Sequence, residues 1–131
     1  AIAASEAKAV AEAAAAIRED NSKAADIFIS GVQGVNFVIN GLYLPTQETG
    51  QDGRRLYRKS GESGDQALCI EHFEGRWRVK NQSDGGSSMC CAYVEGGCAL
   101  EGCRLRTWKV VEGRDFVDQT SVQMVAAAEA N

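Results

Sequence analysis

Proline, histidine and long apolar segments are scarce in this sequence, and each shortage limits the kinds of turn, site or membrane segment that the chain can form. With one proline and 14 glycines in 131 residues, the turns must rely on glycine. No apolar run approaches the roughly 18–20 residues that a membrane-spanning helix needs. The single histidine, His72, lies in a predicted strand without a recognisable nucleophile partner, so we expect no catalytic site and no enzyme.

An excess of positive charge is also missing. The net charge is −4 and the pI is about 5.0, which argues against a nucleic-acid partner. Residues 54–84 are nevertheless locally basic, with seven Lys and Arg against five Asp and Glu. This stripe is either a solvated sheet face or an anion-binding surface. The candidate anion-binding residues are Arg54, Arg58, Arg76 and Arg78.

The cysteines lack the spacing of a metal site. Structural zinc needs two Cys or His pairs with two to four residues between members, so we predict no metal. Disulfides in an oxidising compartment are the alternative that we favour, and free thiols packing as small apolar groups are the other. Cys98 and Cys103 are close enough in sequence to pair, and Cys69 can pair with Cys90 or Cys91 if their strands are neighbours.

Alanine dominates the N-terminal segment. Twelve of the first 25 residues are Ala, and the first Gly or Pro is Gly31, which predicts a helix over residues 1–26. Ile2, Val10 and Ile17 fall about two turns apart and share one face of that helix. They are candidate docking residues, either for the protein's own β-domain or for a partner protein.

A period of two organises the stretch from Ala67 to Lys80. Trp77 and Val79 alternate there with basic residues, which is typical of a strand with one face on a core. We therefore expect Trp77, and Trp108 in the similar segment Trp108–Val110, to be buried. The basic residues of this strand should face solvent or a neighbour: Arg76, Arg78 and Lys80.

About eight short strands are predicted at spacings of 8–15 residues. One of them is Val35–Ile39, followed by a hairpin turn at Asn40-Gly41. The predicted fold is mainly β, a small antiparallel barrel or sandwich preceded by one Ala-rich helix. The domain boundaries that we expect are a helical arm at 1–26, a β-domain at 27–125 and a tail at 126–131.

Four short motifs resemble a β-module that recurs, often in tandem, in proteins of dinoflagellates and other algae. They cover roughly residues 30–125, and the Cys90–Cys103 region departs from the pattern. The resemblance implies a plastid setting and no particular reaction. The matching motifs are Asn40-Gly-x-Tyr43, Gly53-Arg-x-x-Tyr57-x-Lys59, Trp77-x-Val79 and Trp108-x-Val110.

These observations lead to a functional hypothesis. We expect a non-catalytic structural or assembly subunit that docks on other protein subunits through its Ala-rich helix. The resemblance favours a peripheral, non-spanning subunit of a plastid, thylakoid-associated photosystem–antenna assembly. No cofactor is expected, although His72 is the one plausible chlorophyll ligand. The alternative is a carbohydrate- or anion-binding β-module that uses its arginine face.

Overall fold

The computed structural model describes residues 2–50, 52–96, 99–103 and 106–126, with side chains from residue 11 onward. It comprises one α-helix, α1 (Ile2–Ser22), and nine antiparallel strands. The mainly β fold with a preceding helix is thus confirmed. The strands are β1 (Ile27–Ser30), β2 (Gly41–Thr49), β3 (Arg55–Lys59), β4 (Leu68–Phe73), β5 (Arg76–Asn81), β6 (Ala92–Glu95), β7 (Trp108–Glu112), β8 (Asp115–Gln119) and β9 (Gln123–Ala126).

The strands form one sheet in which β1 to β8 are neighbours in chain order. The last strand, β9, pairs with β1, so β8 and β9 lie at the two edges of the sheet. Only residues 120–122 connect these edge strands. Because so short a segment spans little distance, the sheet must curl until its edges approach each other. The result is a curled half-barrel with a core face inside and an outer face outside.

A row of apolar side chains crosses the core face of this sheet. Antiparallel partners point to the same face, so the register alone places them together. Trp77 and Trp108 are each only 2% exposed on this face, as the alternation predicts. The row consists of Tyr57, Ile70, Val79, Ala92, Val110 and Val117.

The segment between β1 and β2 differs from its prediction. Residues Gly34–Ile39 form a 3₁₀ helix rather than a strand, and Gly41 begins β2 instead of ending a hairpin turn. Asn40 has extended backbone angles and uses its side-chain amide to bond Val32. The short apolar run was equally compatible with either conformation, and contacts to distant strands decide it.

The outer face of β4 and β5 is also not as predicted. Arg78 and Lys80 are buried rather than solvated, because residues 82–88 fold over this face. Lys80 Nζ lies 2.8 Å from Glu71 Oε1, and both side chains are almost fully enclosed. The backbone N–H of Gly86 donates to the same carboxylate, which completes a buried ion pair.

Disulfides involving Cys69, Cys90 and Cys91 are not formed, and these residues are free thiols. Strand β5 lies between Cys69 on β4 and Cys91 beside β6, so two strand spacings of about 4.8 Å separate them. That exceeds the Cα separation of a disulfide. Burial raises the pKa of Cys69 to about 11 and that of Cys91 to about 11. The predicted Cys98–Cys103 bridge falls on a residue, Cys98, outside the described part of the chain.

Candidate functional site

Helix α1 ends against the start of β3, where Asn21 connects the two elements. The Asn21 side chain donates to the Gly53 carbonyl at 2.9 Å and accepts from the Arg55 N–H at 3.0 Å. The Arg55 guanidinium donates to the Asn21 carbonyl at 3.1 Å, which satisfies one of the carbonyls left over at the helix C-terminus. The amide of one residue therefore ties the helix end to the sheet.

Arg54 lies between two carboxylates at this junction. Its guanidinium donates to Asp20 of α1, and its Nε lies 3.7 Å from Asp52 in the loop before β3. Arg54 is 7% exposed, whereas the carboxylate side chains remain about one third exposed. A buried guanidinium needs such compensation, so Arg54 joins the helix to the loop electrostatically.

His72 extends this network into the sheet. Its Nδ1 contacts the Asp52 carboxylate, and its Nε2 lies 2.7 Å from the Gly96 carbonyl oxygen. Both ring nitrogens are therefore engaged within the protein, one by a carboxylate and the other by a backbone carbonyl. The Trp77 ring meets the imidazole edge-on, with centroids 4.9 Å apart.

The Asp52 carboxyl responds to these neighbours. Burial alone works to raise its pKa, but hydrogen bonds from His72 and from the Arg54 backbone N–H outweigh burial. The pKa of Asp52 is therefore lowered from its ordinary value. The ionised form that the network requires is the form that the fold stabilises.

Glu101 makes a second connection to the segment that follows the helix. One carboxylate oxygen accepts from the Tyr57 hydroxyl at 2.8 Å and from the Ala25 N–H at 3.2 Å. Burial, and then the neighbouring Glu101 charge, raise the pKa of Tyr57, which keeps the hydroxyl protonated as a donor. We call the whole group the helix-docking cluster: Asp20, Asn21, Asp52, Arg54, His72 and Glu101.

The helix-docking cluster leaves little open space between the helix end and the sheet. The cavity beside it measures about 10 Å³, room for about one water molecule. Both ring nitrogens of His72 have oxygen partners within the protein, so a metal or a substrate would have to displace one of them. What the cluster does chemically is hold α1 in one orientation on the sheet.

The four predicted anion-binding arginines are not brought together. Arg54 belongs to the helix-docking cluster, whereas Arg58, Arg76 and Arg78 lie on the outer face. Arg76 stacks over the Tyr93 ring at 4.4 Å. Its guanidinium also pairs with Glu95 at 3.3 Å.

Arg78 is also engaged within the protein. Its guanidinium donates to the Phe73 and Ser88 carbonyls, each at 3.1 Å. Of the two outer-face arginines on β5, Arg76 thus has a carboxylate partner and Arg78 has carbonyl partners. A bound anion would compete with these internal contacts.

Of the predicted docking residues, Ile17 is half-buried next to Gly53 of the protein's own β-domain. The side chains of Ile2 and Val10 lie outside the described residues. From Ala11 to Ala16 the helix is exposed except at the half-buried Ala14. The end of α1 thus packs on the sheet, while residues 11–16 are largely exposed.

Sequence reasoning missed the partners that form the cluster. The helix, predicted over residues 1–26, ends at Ser22, next to the two residues that connect it to the sheet. Nothing in the local pattern joins Asp20 to Arg54, 34 positions later, or Asp52 to His72, 20 positions later. Such pairs depend on which strand ends meet.

No protein-family model matches this chain, and neither the curated proteins nor the solved structures include a match. Within the described residues, no helix combines the length and the apolar character needed to cross a membrane.

Proposed function

We propose that this protein is a non-catalytic subunit of a larger assembly, which it joins through α1. The observation that carries the proposal is the exposure of α1 between Ala11 and Ala16. A helix of 21 residues is about 30 Å long. Proteins stabilise most helices by tertiary packing, yet among the helix side chains that the structure describes, those of residues 11–16 are largely exposed.

The composition of the helix suggests the kind of contact. Alanine side chains are small, so a partner surface can approach the helix axis closely, and contact rather than charge would hold the two together. The helix-docking cluster supports this role because it sets the direction in which α1 leaves the sheet. We place the assembly in an algal plastid, at the periphery of a photosystem–antenna complex, and the motif resemblance is the support for that setting.

Two matched substitutions test the proposal. Ala13 lies on the same helix face as Val10 and Ile17, whereas Ala15 lies on the opposite face, and both are exposed. Ala13→Arg should release the protein from the assembly on native gels, whereas Ala15→Arg should leave it bound. The urea concentration at the midpoint of unfolding should be the same for both variants as for the wild type. Retention of Ala13→Arg in the assembly, or migration of the wild type as a lone monomer, would refute docking through this face.

A further inference from the structure

The 3₁₀ helix between β1 and β2 presents three large apolar side chains to solvent. Val35 is 84% exposed, Phe37 62% and Val38 47%. We call these three residues the apolar tip. Ile39, the next residue, is buried in the core, so the turn has an inner and an outer side. Exposed apolar groups concentrated on one turn mark an interaction site more often than scattered ones do.

Side-chain amides hold the base of the turn in place. Asn40 accepts from the Val32 N–H at 2.9 Å and donates to the Val32 carbonyl at 3.0 Å. Gln119 at the end of β8 repeats the arrangement with Gln33, at 3.0 Å and 3.2 Å. Each amide satisfies one backbone donor and one backbone acceptor, so the base leaves few polar groups unpaired.

Three further bonds hold the turn itself. The Asn36 side chain donates to the Val111 carbonyl of β7 at 2.7 Å. Lys59 Nζ donates to the Val38 carbonyl, and the Asn40 N–H donates to the Phe37 carbonyl at 3.0 Å. The turn is therefore built to keep the apolar tip facing outward rather than to fold it onto the core.

The charge distribution around the tip indicates what covers it. Residues 27–47 contain no Asp, Glu, Lys, Arg or His. Charged groups of both signs surround the turn: Lys59 Nζ donates to the Val38 carbonyl and lies 3.7 Å from Glu62, and Glu112 accepts from Gln119. On another side, Lys80 and Asp84 line a cavity together with Asn36. A neutral, projecting apolar turn above a rim of both signs matches a zwitterionic bilayer, which has an apolar interior beneath headgroups of both signs. Satisfied backbone groups lower the cost of moving the turn out of water.

We propose that the apolar tip inserts into the interface of a neutral lipid bilayer as a shallow peripheral contact. Aromatic side chains favour that interface, and Phe37 would lie there between the two valines. Three side chains bury too little area for tight anchoring alone, so the contact adds to binding elsewhere. It goes beyond the proposed docking of α1 and does not depend on it.

Flotation of the full chain with phosphatidylcholine vesicles tests the proposal. The combined variant Val35→Ser, Phe37→Ser, Val38→Ser should reduce the floating fraction at least tenfold. The matched control is Phe28→Ser with Leu44→Ser, which removes exposed apolar groups on the outer face of β1 and β2, 43% and 37% exposed, and should float as the wild type does. Phe37→Trp should show a blue-shifted emission with vesicles, since Trp77 and Trp108 are already buried.

Several results would overturn the proposal. They are absence of wild-type flotation, equal loss in the control, stronger binding to phosphatidylglycerol vesicles than to phosphatidylcholine, or a tip-dependent dimer in place of vesicle binding. Preference for anionic lipid would implicate the basic residues, against the net charge of −4. Ala13→Arg should float normally, which separates this contact from the docking of α1.

Discussion

The two ends of the curled sheet are closed by different chemistry. Where β3 begins, charged groups join α1 to the sheet, with Arg54 between Asp20 and Asp52. Where β3 ends, side-chain amides supply most of the bonds to the turn between β1 and β2, with Asn40 and Gln119 bonded to backbone groups and Lys59 donating to the Val38 carbonyl. The charged end fixes the direction of a helix, and the other end, which we call the neutral end because no ion pair holds its turn, presents an apolar tip.

This difference teaches how polar bonds depend on their surroundings. The contribution of an ion pair to the free energy of unfolding changes with pH and is small unless the pair is partly buried. The contribution of an amide bonded to a backbone group does not depend on pH. A surface meant for an apolar environment is best supported by neutral groups, because charges there would have to be desolvated. The two ends should therefore respond differently to substitution and to pH.

The largest effect should follow from Gly31→Ala, which adds a methyl group at the base of the turn between β1 and β2. A Cβ on Gly31 would lie 2.0 Å from the Ser121 carbonyl oxygen, and the φ of +83° already disfavours alanine. Gly31→Ala should cost about 3 kcal/mol or more in the free energy of unfolding, measured with urea. Gly34 has nearly the same φ, +84°, with open space around it, so Gly34→Ala should cost about 1 kcal/mol. Equal costs would show that Gly31 does not pack against Ser121.

The next effect concerns the charged end. Arg54→Met should cost about 2 kcal/mol, because it removes the cation that the partly exposed Asp20 and Asp52 carboxylates share. Lys109→Met is the control, since Lys109 pairs with Asp118 at 3.3 Å while both side chains stay exposed. We expect that control to change the free energy of unfolding by less than about 0.5 kcal/mol. If the two variants lose the same amount, burial does not strengthen the Arg54 contacts.

A smaller effect should follow from removing one amide of the neutral end. Asn40→Ala leaves the N–H and the carbonyl of the buried Val32 without their partner, at a cost of about 1.5 kcal/mol. The ionised side chain of Asn40→Asp could only accept, but at low pH its neutral carboxyl has an acceptor oxygen and an O–H donor, so there the cost of Asn40→Asp should lie below that of Asn40→Ala. Calorimetric unfolding of both variants measures this order, and the reverse order at low pH would contradict the bonding described.

The smallest effect is one of pH. Because folding lowers the pKa of Asp52, its stabilising contribution is present at neutral pH and is lost as the pH falls through the folded-state pKa. Asp52→Asn should therefore lose less stability than the wild type between pH 5 and pH 3 in urea unfolding. Asn40→Ala, at the neutral end, should lose as much free energy of unfolding between pH 5 and pH 3 as the wild type does. If Asp52→Asn also loses as much as the wild type, other carboxylates account for the acid sensitivity.

Parts of this structure could be predicted because they depend on local pattern. Alternation placed Trp77 on the core face, and alanine content placed the helix. The same alternation was wrong about Lys80, since a period of two assigns a side chain to a face without saying whether a loop covers that face. Strand β8 was missed, with its alternation masked by polar residues.

By itself, then, the sequence determined the β content, the helix and the inward side of the central strands, because these follow from the period of side chains along the backbone. Only the tertiary structure decided that Lys80 is enclosed with Glu71, that residues 34–39 form a 3₁₀ turn, and that Asp20, Asp52 and His72 belong to one network. Those outcomes depend on which distant segments meet when the sheet curls, and no local pattern of side chains carries that information.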